Sequence, residues 1–147
     1  PLAWQIYQSL SNDLNTPKIL VCNSDGAKVK AGDFLNSASG NASFGRQSPP
    51  EMGLSYFAGT EAEETKPQSI LSGDRNIQGN YPKDWTYAAN YNNGQGPNEN
   101  WDSGQHNNAG NVGLGDGSVQ QLNQATLKKQ IASALEGPGG RVRLVYP

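Results

Sequence analysis

Nine residues separate His106, the only histidine among 147 residues, from Asp116-Gly117 in the stretch QHNNAGNVGLGDGSVQQL. An imidazole and a carboxylate are the parts of a general base and its orienting partner. Their reach is poor. If Asn111 to Gly115 form a strand, they span roughly 16 Å, and the four residues before them fold back by at most about 13 Å. No Ser, Cys or second His lies close enough in sequence to complete a triad. The pair therefore reads as two structural landmarks, with the Asp belonging to a turn, and no enzymatic activity is expected.

Other residues offer chemistry more weakly. Cys22 is the single cysteine and ends an apolar run with no base beside it, so it reads as a buried, inert thiol. It excludes an intrachain disulfide and disfavours a cysteine-based zinc site. Gly73-Asp74-Arg75-Asn76 follows a predicted strand and reads either as an active-site tip or as an Asp-Arg ion pair in a turn. Asp84, Glu99 and Asp102 lie in an Asn-rich stretch and could supply oxygens to Ca²⁺, the one ion with candidate ligands, but without EF-hand spacing. A solvated polar loop is the simpler reading. Trp85, Tyr87, Tyr91 and Trp101 could form a sugar-stacking surface, or could pin their own loop to the domain.

Composition narrows the class. Hydrophobic residues make up 34%, and 18 Gly with 9 Pro imply many turns rather than a helical bundle. A net charge of −2 without a basic run argues against a nucleic-acid partner. The length suits one domain over residues 1–147. The chain opens Pro-Leu-Ala without Met, the expected look of a processed or truncated form.

The elements that must position these residues follow from periodicity. Leu2, Ile6, Leu10 and Leu14 mark one face of a helix over residues 1–14, read as the end of a longer one, and Asn15-Thr16-Pro17 stops it. Lys18 to Cys22, Leu54 to Gly59 and Gln68 to Gly73 are predicted strands. Residues 26–50 read as a polar loop, and residues 79–111 as lacking regular structure. Asp116-Gly117 predicts a two-residue type I′ hairpin in which Leu114 faces Val119. Asn123 caps a helix with a Leu127, Ile131, Leu135 stripe, Leu122 and Leu127 forming a staple, and Gly137-Pro138 ends it. Val142, Leu144 and Tyr146 alternate with Arg141 and Arg143 in a half-exposed strand whose charges discourage edge pairing. This order predicts an α+β fold with a small antiparallel sheet, an N-terminal and a C-terminal helix, and long polar loops.

The spacing from His106 to Asp116-Gly117 resembles the H-X9-DG signature of prepilin-type, pseudopilin-like proteins. PKILVCNSD resembles a P-x-x-x-x-C-P-S-D segment of such proteins, with Asn23 where Pro is usual. SYFAG, QSILSGDRN and GNVGLGDGSVQQL are also similar to members linked to type II secretion, so the likeness runs from Leu14 to Leu135. It marks Cys22, Asp25, Asp74, His106, Asp116 and Gly117 as motif residues with structural roles and gives none of them a catalytic one. It implies a pilin-like head lacking its anchoring helix, cut from a peptidase-processed and methylated precursor. It further implies anchorage in the inner membrane through the missing helix, a head in the periplasm, and pilin-like subunits and secretion components as partners. The function it implies is a structural one in a type II secretion or type IV pilus-like assembly. The rival is a secreted carbohydrate-binding domain using the aromatics of residues 81–101; a hydrolase centred on His106 ranks third.

Overall fold

The computed structural model describes residues 2–35, 43–46, 50–78, 84–87, 100–136 and 140–147. They form a small α+β structure. Strands β1 (Tyr56–Gly59), β2 (Ile70–Asp74), β4 (Asp84–Tyr87), β6 (Ala109–Leu114), β7 (Val119–Asn123) and β8 (Val142–Val145) make an antiparallel sheet in the order β4-β8-β1-β2-β6-β7. Two short strands, β3 (Ile77–Gln78) and β5 (Asn100–Trp101), pair beside it. Helices α1 (Ala3–Ser9) and α2 (Ser11–Leu14) open the described chain, and α3 (Gln124–Leu135) precedes β8.

Strand alternation divides the core. Phe57, Val112, Leu114, Val142 and Leu144 point to one face, where α3 covers them with Leu127, Ile131 and Leu135. Ala58 and Val145 point to the other, under Ala3 and Tyr7 of α1 and with Leu20, Phe44 and Leu54. Asn123 caps α3 by accepting from the Thr126 N–H at 3.0 Å, while the Thr126 hydroxyl accepts from the Asn123 N–H at 2.8 Å. The staple residues Leu122 and Leu127 share the α3 core cluster.

The N-terminal helix is rotated from its expected setting. Ala3 and Tyr7 are buried, Ile6 and Leu14 are half-buried, and Leu2 and Leu10 are each 42% exposed. The small Ala3 permits close approach. Tyr7 buries a larger surface than a Leu while its hydroxyl reaches the Phe57 carbonyl at 2.9 Å and Ser72 Oγ at 2.6 Å. That burial pushes the Tyr7 pKa up to about 12, against the hydrogen bond from Ser72. Leu2 is extended, and its N–H is taken up by the Gln5 side chain at 2.9 Å. Asn15, at φ 60°, ends α2 before Pro17, as the sequence predicts.

Other elements also depart from expectation. Pro17–Leu20 is a 3-10 helix rather than a strand, because Pro17 presets a helical φ and Thr16 accepts from the Lys18 N–H. Within residues 79–111, β4, β5 and the start of β6 are regular. The strand β8 is interior to the sheet, buried on both faces at Val142, Leu144 and Val145, and Arg143 reaches Asp84 on β4. The hairpin between β6 and β7 has a three-residue loop. The Gly117 N–H bonds Leu114 O, the Leu114 N–H bonds Ser118 O, and Gly117 alone of the loop has positive φ, at 82°. This is a type I turn closed by a left-handed glycine, not a type I′ turn. Val119 consequently pairs with Gly113 and is 71% exposed. Gly137-Pro138 lies outside the described residues.

No helix among the described residues is long and apolar enough to cross a membrane. The expected membrane anchor and inner-membrane placement are therefore corrected for these residues. The helical segments of residues 3–14 are short and amphipathic and lie against a sheet.

Candidate functional site

His106 stands in the turn between β5 and β6, held by a polar framework. Asn76 Nδ2 donates to the carbonyls of Asp102 and Ala109 at 3.2 and 3.1 Å, and the Asn108 N–H returns to Asp102 O. Asn107 and Asn108 supply the left-handed backbone, at φ 52° and 64°, that reverses the chain into β6. The imidazole thereby comes to the open end of β2.

There it meets two residues remote in sequence. His106 Nε2 lies 3.3 Å from Asp74 Oδ2 and 3.5 Å from Cys22 Sγ. Ligand atoms of Cys22, Asp74 and His106 all fall within 4.8 Å of one another. Asp74 is 2% exposed, and its Oδ2 accepts from the Asn111 N–H at 2.6 Å and from Asn111 Nδ2 at 3.0 Å. The three residues border a cleft of about 390 Å³, also lined by Tyr56, Ser72 and Val119. Burial raises the Tyr56 pKa, reinforced by the nearby Cys22, Asp74 and Asp25.

A second polar group adjoins the first. Arg75 Nε and Nη2 donate to the two oxygens of Asp25 at 2.7 and 2.8 Å, and Ser55 Oγ donates at 2.9 Å. The Arg75 N–H reaches the Ser55 carbonyl, so this pair fixes the segment after Cys22 to β1 and to the end of β2. Burial pushes the Asp25 carboxyl up, but the hydrogen bonds from Arg75 and Ser55 and the guanidinium charge outweigh it and lower its pKa.

These contacts correct the expectation of a chain without catalytic chemistry. The partners missing from His106 in sequence are supplied by the fold, 84 and 32 residues upstream. Cys22 is partly exposed and has a base beside it, so it is not an isolated inert thiol. Both contacts use Nε2. A thiol–imidazole–carboxylate relay needs the thiol and the carboxylate on opposite ring nitrogens, so that one takes the proton while the other is oriented. Convergence on one nitrogen suits a shared ion instead, and Cys22, Asp74 and His106 are the group among the described residues that could hold a metal.

The remaining candidates lie elsewhere. Asp116 is at the hairpin tip, bound to the Ser118 N–H and Oγ; that hydroxyl bond leads the causes that lower its pKa. It makes no pair with His106. Gly117 supplies the turn's positive φ. Asp84 is engaged by Arg143 and Asp102 accepts from the Gly104 N–H, while Glu99 lies outside the described residues. Of the aromatic surface, Tyr87 and Trp101 are buried in the core and Trp85 packs against it; Tyr91 lies outside the described residues. Arg75 pairs with Asp25, not with its neighbour Asp74. Sequence reasoning passed over Asn111 and Ser55, whose only signal was polarity in predicted strands, and read Asn76 only as part of the tip formed by residues 73–76.

No family model, curated protein or solved structure matches the chain.

Proposed function

We propose that this chain is a pseudopilin-like assembly subunit of the type II secretion or type IV pilus class, contributing to protein export or fibre formation through contacts with like subunits. The observation that carries this reading is the setting of its N-terminal helix. Tyr7 pins α1 across β1 and β2 while Leu2 and Leu10, each 42% exposed, are left to solvent. A helix clamped to its own sheet on one side, with exposed Leu2 and Leu10 at its two ends and Gln5 and Ser9 exposed between them, offers two apolar contacts that the same helix of neighbouring subunits could cover. The convergence of the motif residues adds support. Cys22, Asp25, Asp74 and His106 come from three segments and meet in adjoining polar groups that tie those segments together.

Immunogold microscopy and co-purification of the native gene product test the reading. Label along filaments, or recovery with other helix-led subunits, is the expected result. Joint replacement Leu2→Asp and Leu10→Asp should abolish assembly while shifting the melting temperature by no more than about 4 °C, since both sites are surface positions. A native product found only as free monomer overturns the proposal.

A further inference from the structure

We propose that Cys22 Sγ, Asp74 Oδ2 and His106 Nε2 form a tetrahedral transition-metal site, suited above all to Zn²⁺, whose fourth position opens on the cleft. The distances carry the argument. Bonds of about 2.3 Å to sulfur and about 2.0–2.1 Å to nitrogen and oxygen, set at tetrahedral angles, place ligand atoms ~3.5 Å apart for S···N and ~3.4 Å for N···O. The observed separations are 3.5 Å and 3.3 Å. A single Nε2–H can point at only one of these acceptors, and 3.3 Å is long for a hydrogen bond between imidazole and carboxylate. The third pair, Cys22 Sγ and the Asp74 carboxylate, lies within 4.8 Å, so an ion between the three atoms can engage all of them together after a small closure of that pair.

Ligand chemistry selects the ion. A thiolate beside an imidazole and one carboxylate suits Zn²⁺ and its neighbours, whereas Ca²⁺ and Mg²⁺ require shells of oxygen. The surroundings are those of a built site. Asn111 holds the Asp74 carboxylate with two hydrogen bonds, as outer-shell partners do for metal ligands. His106, 21% exposed at its side chain, leaves an entry path from the cleft. Three protein ligands leave one coordination position for water or another small ligand, the pattern of exchangeable rather than closed zinc sites. Only one side chain here is a thiol, so no cysteine spacing along the chain points to the site.

The test uses the purified chain under reducing conditions, with Zn²⁺ and then Co²⁺ as probes. Zn²⁺ should saturate at one equivalent and raise the melting temperature. Co²⁺ should give a sulfur-to-metal charge-transfer band and the visible absorption of a tetrahedral ion, and added azide should shift the visible bands by entering the open position. Cys22→Ser should remove the charge-transfer band and weaken Zn²⁺ binding by at least about 100-fold; Asn111→Ala should weaken it roughly tenfold while every ligand remains. Circular dichroism of each variant without metal reports its fold. Absence of saturable binding overturns the site, as does binding that Cys22→Ser leaves unchanged in a folded variant. A cobalt spectrum indifferent to azide overturns the open position.

Discussion

At the scale of single residues, Asp25 shows how a charge is buried without loss. Its side chain is 1% exposed, and its oxygens receive Arg75, Ser55 and the Ala27 N–H. Asp25→Asn keeps the shape but leaves Arg75 without its charge partner, at a cost of about 2–3 kcal/mol near neutral pH. The pH dependence has a definite sign. The folded carboxyl titrates below the usual 3.8, so between the folded and unfolded pKa values the unfolded chain binds more protons. The pair's contribution is complete above about pH 5 and is lost as pH falls through the folded pKa. Urea denaturation across this range should show the gap between wild type and Asp25→Asn closing only on the acid side. A gap independent of pH would show that Asp25 titrates alike in the folded and unfolded chains, and a gap that closes as pH rises would show that the fold raises its pKa.

At the scale of elements, the β6–β7 hairpin separates the turn from the site. Its loop needs a left-handed residue at 117 alone, and a Cβ placed on Gly117 meets nothing within 4 Å. The penalty for substitution is therefore backbone strain, not collision. Gly117→Val should cost about 1–2 kcal/mol, whereas Gly117→Asn should cost less than half as much because Asn tolerates this region. Equal melting temperatures for the two variants would contradict the turn assignment. Neither should alter the Cys22–Asp74–His106 group, since the tip lies a full strand, roughly 20 Å, from the His106 turn.

For the whole molecule, the decisive contact joins the small ladder to the main sheet. Trp101 on β5 is fully buried, and a Cβ at Gly110 on β6 would lie 2.3 Å from its ring. The glycine is what lets the indole lie on the sheet beside the turn bearing His106. Gly110→Ala should force the ring aside, cost about 1–3 kcal/mol, and loosen the His106 turn as well. Thermal denaturation reads the first effect. Slow-exchange broadening of the His106 imidazole resonances reads the second, and their sharpness in a folded Gly110→Ala variant would show that Trp101 does not brace the turn.

Most local elements were legible in the chain, the 3-10 helix Pro17–Leu20 excepted. Asn123, with the Leu127, Ile131, Leu135 stripe, specified α3; apolar runs bounded by turn residues specified β1 and β2; Asp116-Gly117 marked β6 and β7 on either side of it; and Asn15-Thr16-Pro17 set the end of α2. Capping, period and fixed φ act within a few residues, so they can be read from neighbours in the chain. The helix setting was legible only in part, because the Leu stripe and the Ala3/Tyr7 stripe are adjacent, and only the polar partners at Phe57 and Ser72 choose between them. The site residues were each visible as candidates, yet their grouping was not. His106 was matched to Asp116 because sequence shows only separation along the chain, while a buried carboxylate at the end of β2 and a thiol after the first 3-10 helix approach it through strand pairing. Antiparallel register brings residues tens of positions apart to within a few ångströms, and that register is decided by how both sheet faces fill their cores. That His106 meets Asp74 and not Asp116 follows from this register, which no local signal in the chain carries.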